Sequence, residues 1–332
     1  MKVPSSSTVS FIKAVHVPLI LSRSFRQQHW PSSTFTFKST STAIIRRFSS
    51  SSSSTQQPKQ PKKSQPVVEL REYNVNPGRF ASYTKATHDT AQLRQSISPL
   101  CFFSFPETGG ELLKATHAYY YQGGLQERDR VQAQMAEHSE WNAYLNTVFP
   151  YLDQVKSTLF VEAPFLVTSS SKQRAFQEQE EQQVMGLQNV WSNLQQQQQQ
   201  EQQQQNQGDQ NNNAHAHTNN KCILELRRYH LKLGYDTVPK FLEYYATGLP
   251  SKLAAKGTDP TTSLVTVMYT EVGRLNEVIE LWRHGNGTAA MEQSRIAARG
   301  AQEWRQAIAK IADLAVEFHT TIHKPTEFSP LK

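Results

Sequence analysis

The chain contains the same short motif twice, and this duplication limits the folds that it can adopt. Residues 67–78 are VVELREYNVNPG, and residues 222–234 are CILELRRYHLKLG. A second block, which includes Trp141 in the first copy and Trp304 in the second, also aligns between the copies. Two blocks in register indicate an internal duplication rather than a coincidence. One structural unit should therefore occur twice in these 332 residues.

Each copy predicts the order strand, helix, strand, strand, helix, strand. In the second copy, Phe241 and Tyr245 belong to one apolar helical stripe, and Trp304 and Ile308 belong to another. Periodicity and turn signals in the first copy predict strands at 67–75, 100–105, 112–121 and 157–161, and helices at 79–96 and 125–148. The corresponding strands of the second copy are expected at 222–230, 264–270, 275–284 and 320–323.

This order is that of a ferredoxin-like unit, in which both helices cover one face of a four-stranded antiparallel sheet. The other face is apolar and needs a cover, because an exposed apolar sheet promotes aggregation. The two copies can supply that cover to each other. We therefore predict an α+β protein in which two ferredoxin-like units, at 67–164 and 222–328, pack sheet to sheet as an intramolecular α+β barrel.

The segment between the copies, 165–221, differs sharply in composition. It contains eighteen Gln between positions 173 and 210, followed by NNNAHAHTNN. Such tracts are typical of disorder, so we predict a flexible Gln/Asn-rich linker in which 178–191 forms a transient helix. His215 and His217 lie in this linker, but two histidines without a third ligand make a weak metal site, and no metal or other cofactor is predicted.

The N-terminal region has the composition of an organellar transit peptide. Residues 1–48 include seven Lys or Arg and no Asp or Glu. The sequence RRFSS at 46–50 resembles a mitochondrial processing site, which predicts cleavage between Phe48 and Ser49. A plastid transit peptide is the alternative. Residues 49–66 are then a disordered tether. The apolar stretch around His16 and Pro18 is too short and interrupted for a transmembrane helix.

Charge and cysteine content exclude two further classes. Outside residues 1–48 the chain has 28 basic and 28 acidic residues, so no basic surface for nucleic acid is predicted. Cys101 and Cys222 are too few for a disulfide framework, and both lie in apolar runs that favour buried thiols.

These residues resemble the NipSnap domain, whose pattern is Glu-Leu-Arg-x-Tyr-x-x-x-Pro-Gly followed by Gly-Gly, a His-x-Trp/Tyr strand and a Glu-Trp helix. The matching positions in the first copy are Glu69, Leu70, Arg71, Tyr73, Pro77, Gly78, Gly109, Gly110, His117, Tyr119, Arg128, Glu140 and Trp141. Those in the second copy are Glu225, Leu226, Arg227, Tyr229, Gly234, Gly273, Leu275, Trp282, Glu303 and Trp304. The second copy departs from the pattern at three positions: it has Leu233 for the Pro, Glu280 for the His, and Met291 for the Arg that opens the second helix and is Arg128 in the first copy.

The resemblance implies a dimeric α+β barrel fold and a mitochondrial protein, most naturally in the matrix. It also implies protein partners in quality control or vesicle trafficking, and it brings no agreed reaction. Relatives by fold include cofactor-free monooxygenases and haem-binding enzymes, which is an analogy of fold only. Within one chain the barrel is a pseudo-dimer, and homo-oligomers of it are left open.

Eight polar residues are candidates for a ligand-binding site inside the barrel. Polar and apolar residues alternate along the first strand of each copy, so the polar groups share one face. The candidates are Glu69, Arg71, Tyr73, His117, Glu225, Arg227, Tyr229 and Glu280. The alternative interpretation is structural, because a buried carboxylate needs an ion-pair partner and a lone strand histidine is commonly a core group. Trp141 and Trp304 are interpreted as core residues, and no catalytic residue is assigned.

Two functional hypotheses follow. The first is a non-enzymatic mitochondrial interaction or scaffold protein. The second is a barrel that binds a small molecule or haem, with cofactor-free monooxygenase activity as its catalytic form. No phosphate-binding loop, nucleophile elbow or zinc motif supports an enzyme.

Residues 1–48 fused to a fluorescent protein should enter mitochondria, because a basic, acid-free N-terminus directs import. N-terminal sequencing of the imported form should begin near Ser49. A diffuse cytosolic signal, or a plastid signal in a photosynthetic cell, contradicts this prediction.

Overall fold

A computed structural model describes residues 64–167, 183–206 and 221–332. The transit-peptide prediction, the tether up to residue 63 and the linker stretches 168–182 and 207–220 lie outside the described residues. Among the described residues, no helix is long and apolar enough to cross a membrane. We refer to residues 67–167 as half 1 and to residues 221–332 as half 2.

Half 1 follows the predicted order, with each helical region divided in two. Its elements are β1 (Val67–Val75), α1 (Phe80–Asp89), α2 (Ala91–Ile97), β2 (Leu100–Thr108), β3 (Lys114–Tyr121), α3 (Gly124–Glu137), α4 (Ser139–Val148), β4 (Leu152–Glu162) and the single turn α5 (Pro164–Val167). Short 3-10 turns lie at Pro77–Arg79 and Phe149–Tyr151. Strand β4 begins earlier than predicted. The prediction missed its start because the first residues are mostly exposed and lack an apolar alternation.

Half 2 repeats the same arrangement after one helix of the linker, α6 (Leu187–Asn206). Its elements are β5 (Ile223–Leu231), α7 (Thr237–Leu253), β6 (Thr262–Val272), β7 (Glu277–His284), α8 (Thr288–Gly300), α9 (Gln302–Leu314) and β8 (Ala315–Pro325). Strand β8 also starts before its predicted position, and its start was missed for the same reason, because its first residues are largely exposed.

The eight strands close into an antiparallel barrel in the order β1-β3-β2-β8-β5-β7-β6-β4. Strand β2 of half 1 pairs with β8 of half 2, and β4 pairs with β6, so each half closes the sheet of the other. Equivalent strands of the two halves lie four positions apart in this ring of eight. The axis that relates the two copies therefore coincides with the barrel axis. The predicted intramolecular α+β barrel is confirmed.

The described core has three apolar clusters. One fills the barrel and includes Val68 and Leu70 of β1 with Leu224 and Leu226 of β5. The other two lie outside the barrel, between each half-sheet and its own helices. Cys101 is among the interior residues, and both cysteines are buried thiols that form no disulfide with each other, as predicted.

The predicted placement of the eight candidate residues inside the barrel is wrong. Val68 and Leu70 point inward, so the residues that alternate with them point toward the helices. The residues on this outer, helix-covered face are Glu69, Arg71, Tyr73, His117, Glu225, Arg227, Tyr229 and Glu280. Both faces of each sheet are buried, so alternation alone does not show which face is the interior.

An ion pair inside the barrel joins equivalent positions of the two copies. Arg228 of β5 donates from Nη2 to Glu72 Oε1 at 3.0 Å and from Nη1 to Glu72 Oε2 at 3.4 Å. Because the repeat axis is the barrel axis, a barrel of two identical halves would bring Glu72 to a second Glu72, or Arg228 to a second Arg228. The opposite charges favour the pairing of unlike halves.

Part of the linker is ordered against the barrel, which differs from the prediction of disorder for that stretch. Leu187 and Val190 are buried in the interior cluster, and Trp191 and Leu194 pack on it. These four residues follow the i, i+3, i+4, i+7 spacing of one helical face. The Leu187 N–H donates to Glu162 Oε1 at 2.8 Å, which ties the start of α6 to β4.

Replacement of Glu72 and Arg228 by Met, singly and together, should reveal strong coupling. Each single change removes one of two partners from the remaining charge, because Glu72 also pairs with Lys156 at 3.3 Å and Arg228 with Glu277 at 3.2 Å, and it should lower the free energy of unfolding by about 1–3 kcal/mol. The double variant should cost about 1–3 kcal/mol less than the sum of the singles. Urea unfolding of the full chain measures all four proteins. The exposed Lys85–Asp89 pair, at 2.8 Å, is the control cycle, and its two changes are expected to be additive. Additive effects at Glu72 and Arg228 would contradict the inference.

Candidate functional site

A layer of buried polar groups lies between the sheet and the helices of half 1, with Glu69 at its centre. The Glu69 carboxylate accepts hydrogen bonds from Arg71 Nε at 3.0 Å, Ser157 Oγ at 2.6 Å and Tyr121 OH at 3.2 Å. Arg128 of α3 donates to both of its oxygens, at 3.1 and 3.2 Å. Burial alone would raise the pKa of Glu69, but the Arg71 charge and these hydrogen bonds lower it to about 2.

Half 2 builds the equivalent layer around Glu225 with different partners. Arg227 donates from Nε to Glu225 at 2.6 Å, and His284 Nε2 lies 3.1 Å from the other oxygen. The helix arginine is Arg295, which bonds Glu225 from α8. The family pattern has an arginine at the position of Met291, and Arg295 replaces it from one helical turn further along.

A second buried carboxylate, Glu280 of β7, distinguishes half 2 from half 1. Its Oε2 accepts from Tyr229 OH at 2.8 Å, and its Oε1 accepts from Lys252 Nζ at 3.3 Å and from the Trp282 indole N–H. Arg227 Nη1 lies 3.5 Å from the same oxygen. Burial would raise the pKa of Glu280, but the charges of Lys252 and Arg227 hold it below its ordinary value.

Lys252 of α7 is enclosed between two indole rings. Its Nζ lies 3.5 Å from the ring centroid of Trp282 and 4.5 Å from that of Trp304. Burial lowers the pKa of Lys252 to about 7, while the Glu280 carboxylate and the two aromatic faces favour the ammonium form. Burial and the Glu280 carboxylate therefore shift the pKa of Lys252 in opposite directions, and Glu280 favours its charged form.

A cavity of about 450 Å³ opens beside this network, between the half 2 sheet and helices α8 and α9. Its lining residues are Glu225, Arg227, Lys252, Thr262, Trp282, His284, Ser294, Arg295, Ala298, Arg299, Trp304, Arg305, Ile308, Phe318 and Thr320. The exposed Arg299 and Arg305 lie at its mouth, and their guanidinium groups have no hydrogen bond or ion pair with any described residue. Its volume falls within the range of small-molecule sites.

His117 occupies a closed position in half 1. Its ring is fully buried, stacks on Phe103 at a centroid distance of 4.8 Å and has Nδ1 2.9 Å from Tyr119 OH. Burial, together with the charges of Arg94 and Arg71, holds the pKa of His117 well below its ordinary value, so the ring is neutral. Arg94 of α2 donates to Tyr119 OH at 2.7 Å.

The described histidines of these two layers do not fit the axial ligand of a haem group. His117 is enclosed, and Glu280 stands at its position in half 2. His284 lines the half 2 cavity, but its Nδ1 lies 2.9 Å from Thr262 Oγ1 and its Nε2 is engaged by Glu225. The haem-binding hypothesis therefore finds no ring nitrogen there that is both unengaged and accessible.

The eight candidate residues form two separate groups rather than one site. Glu69, Arg71 and Tyr73 lie together in half 1, where Arg71 Nη1 is 3.4 Å from Tyr73 OH, and the other group surrounds Glu225 and Glu280 in half 2. Sequence analysis missed Arg94, Lys252, His284 and Arg295, which complete the two layers. Arg94 and Lys252 each approach the second-helix tryptophan of their own half, Trp141 or Trp304, but they do not align at the repeat offset, so the sequence carries no signal for them.

The fold and the paired polar layers define a tandem α+β barrel protein. A family model for NIPSNAP matches residues 68–167 and 224–330, so the chain belongs to the NIPSNAP family and the predicted resemblance is confirmed. No curated protein matches the chain.

Solved structures similar to this chain include NIPSNAP-family proteins and a candidate monooxygenase. A NIPSNAP-family protein from Agrobacterium tumefaciens is 27% identical, covering 33% of this chain and 99% of that chain, with a TM-score of 0.29. A NIPSNAP domain protein from Burkholderia xenovorans is 22% identical, covering 30% and 96%, with a TM-score of 0.28. A candidate monooxygenase from Fusobacterium nucleatum is 10% identical, covering 81% and 94%, with a TM-score of 0.46.

The Glu69→Gln variant should be less stable than the wild type by about 3 kcal/mol at pH 7, because the buried arginines lose their counterion. Glu69 has a lowered pKa, so its contribution is present above the ordinary value near 4.5 and is lost as the pH falls toward 2. The difference between the two proteins should shrink over that interval in urea unfolding. Glu292→Gln, at an exposed helical position, is the control and should change stability little. A difference that stays constant down to pH 2.5 argues against the assignment.

Proposed function

We propose that this NIPSNAP-family protein is a non-enzymatic mitochondrial binding protein, and that the half 2 cavity holds a small organic anion. The observation that supports it is the pair of unpartnered arginines, Arg299 and Arg305, at the mouth of a 450 Å³ cavity. Guanidinium groups pair well with carboxylate, sulfonate or phosphate groups. The ligand should therefore present its anionic group to the mouth.

The inner part of the cavity favours a flat, apolar ligand body. Trp304, Ile308 and Phe318 line it beside the Lys252 ammonium, and Phe318 is about half exposed. An aromatic or branched apolar group can pack on these side chains, while the ion pairs behind them stay intact. The fitting class is an aromatic or branched carboxylate or sulfonate of modest size.

The engagement of the ionisable groups supports binding rather than catalysis. General acid–base catalysis needs a group that can approach the substrate and exchange a proton with it. The carboxylates of Glu225 and Glu280 each accept several charged or polar donors, and their pKa values lie below the ordinary range. Each is therefore a counterion for neighbouring cations, which disfavours the monooxygenase alternative.

Protein interaction in mitochondria, in quality control or vesicle trafficking, is the second candidate function. Exposed apolar side chains at one end of half 2 favour it: Leu233, Tyr235 and Leu275 are largely exposed, and their loops are joined by the Asn276–Lys232 hydrogen bond of 2.6 Å. Proximity labelling in mitochondria should lose partners when all three are changed to Ser. An unchanged partner set would sink this candidate.

Ligand binding can be tested with 8-anilinonaphthalene-1-sulfonate, a flat aromatic anion. The folded full chain should enhance the fluorescence of this probe, and the Arg299→Ala/Arg305→Ala variant should bind it about tenfold more weakly, which corresponds to about 1.4 kcal/mol. The Arg79→Ala/Arg130→Ala variant removes the same charge from half 1 and should bind normally. Equal affinity of both double variants and the wild type would show that the probe binds elsewhere, and the proposal would fail.

A further inference from the structure

We propose that half 1 contains a site for one small monovalent anion, of the size of a halide or formate, at the guanidinium of Arg94. The anion supplies the negative charge that the Glu280 carboxylate supplies in half 2. This site is independent of the half 2 cavity and of the function proposed for it.

Arg94 is a buried cation without a carboxylate partner. It is 2% exposed, and it donates from Nη1 to Tyr119 OH and from Nη2 to Tyr144 OH, both at 2.7 Å. Its guanidinium lies over the rings of Phe103, at 5.3 Å, and Trp141, at 4.9 Å. Its Nε–H has no acceptor among the described residues. A buried charge is normally compensated by an opposite charge, but among the described residues the partners of Arg94 are neutral hydroxyls and ring faces.

Assignment of the hydroxyl and imidazole protons gives a second donor without an acceptor close to Arg94. The Tyr119 hydroxyl accepts from Arg94, so its own proton is free to go to His117 Nδ1, 2.9 Å away. That arrangement puts the proton of the neutral imidazole on Nε2. His117 Nε2 is buried and has no partner among the described residues.

Tyr83 OH is a third such group. It belongs to the same packed cluster as Phe103, Tyr119 and Trp141, and it too is buried without a hydrogen-bond partner in the described part of the chain. Three unsatisfied donors in one cluster, one of them on a guanidinium, lack an acceptor with negative charge. Buried polar groups are nearly always satisfied, so these unsatisfied donors around a buried cation favour a bound anion.

The comparison of the halves shows where that acceptor belongs. His117 pairs with Arg71 across β1 and β3, and Glu280 pairs with Arg227 across β5 and β7, in the same register. Lys252 is the half 2 counterpart of Arg94, since each cation lies over the tryptophan of its second helix region. Half 2 neutralises its cation with Glu280. Half 1 has the neutral His117 at that position and has no such carboxylate.

The surroundings restrict the ligand to a few atoms. Arg94 and His117 are almost completely enclosed, and aromatic rings form most of the wall. A large or strongly hydrated anion would lose too much solvation in such a site. Chloride, bromide, nitrate and formate belong to the class that fits.

The test compares melting temperatures of the full chain in sodium bromide and in sodium gluconate, whose anion is too large to enter, at equal ionic strength. At bromide concentrations about tenfold above the dissociation constant, the wild type should melt about 3–6 °C higher than in gluconate. The His117→Glu variant carries its own carboxylate and should melt at the same temperature in both salts. The Arg299→Ala/Arg305→Ala variant, altered only at the half 2 cavity, should keep the wild-type difference.

Anomalous diffraction from bromide-soaked crystals of the wild-type chain gives a second measurement that does not need a folded variant. A peak within contact distance of the Arg94 guanidinium is expected. Two results would overturn the proposal: no peak at Arg94, or bromide stabilisation of equal size in the wild type and in His117→Glu. Failure of the probe-binding test at Arg299 and Arg305 would leave this site unaffected, because the two tests involve different halves.

Discussion

The mutual burial of two apolar sheet faces is the constraint on which the rest of this structure depends. Each half has helices on only one side of its sheet, and the other side is covered by the opposite half and by the first turns of α6. The sheet edges are also shared, since β2 pairs with β8 and β4 with β6. Closure therefore removes both an apolar surface and four unpaired strand edges at once. Neither half can be described as folded independently of the other on this geometry.

The duplicated scaffold allows the two polar layers to differ. Glu69 and Glu225 hold the same position, and each is surrounded by an arginine of its own strand and an arginine of a helix. The halves differ on the neighbouring strand, where half 1 has the neutral His117 and half 2 has the Glu280 carboxylate at the equivalent position. This one difference gives half 2 the Glu280–Lys252 ion pair and leaves the Arg94 guanidinium of half 1 without a carboxylate partner among the described residues. The half with the internal pair is also the half beside the 450 Å³ cavity.

The fold could be predicted from the sequence because repetition reduces the problem to one unit and one question about its uncovered face. The orientation of the polar residues could not, since Glu69, Arg71 and Tyr73 alternate with apolar residues on a strand that is buried on both sides. Arg295 escaped prediction because it reaches Glu225 from a different helical turn than Arg128 uses to reach Glu69. The ordered part of the linker was obscured by its composition: four apolar residues of a single face, beginning at Leu187, are enough to dock a helix whose other residues are mostly Gln.

The charge difference between Glu72 and Arg228 has a consequence for how such a chain can evolve. A single-domain ancestor that formed a barrel with a second copy of itself needed side chains near the barrel axis that can lie next to an identical side chain. After duplication, the acquisition of opposite charges at this one position would make each copy dependent on the other. Loss of either copy would then bring two Glu72 or two Arg228 side chains together on the axis, each balanced only by Lys156 or Glu277 of its own half, so inheritance of both domains together is favoured even if only one of them binds a ligand.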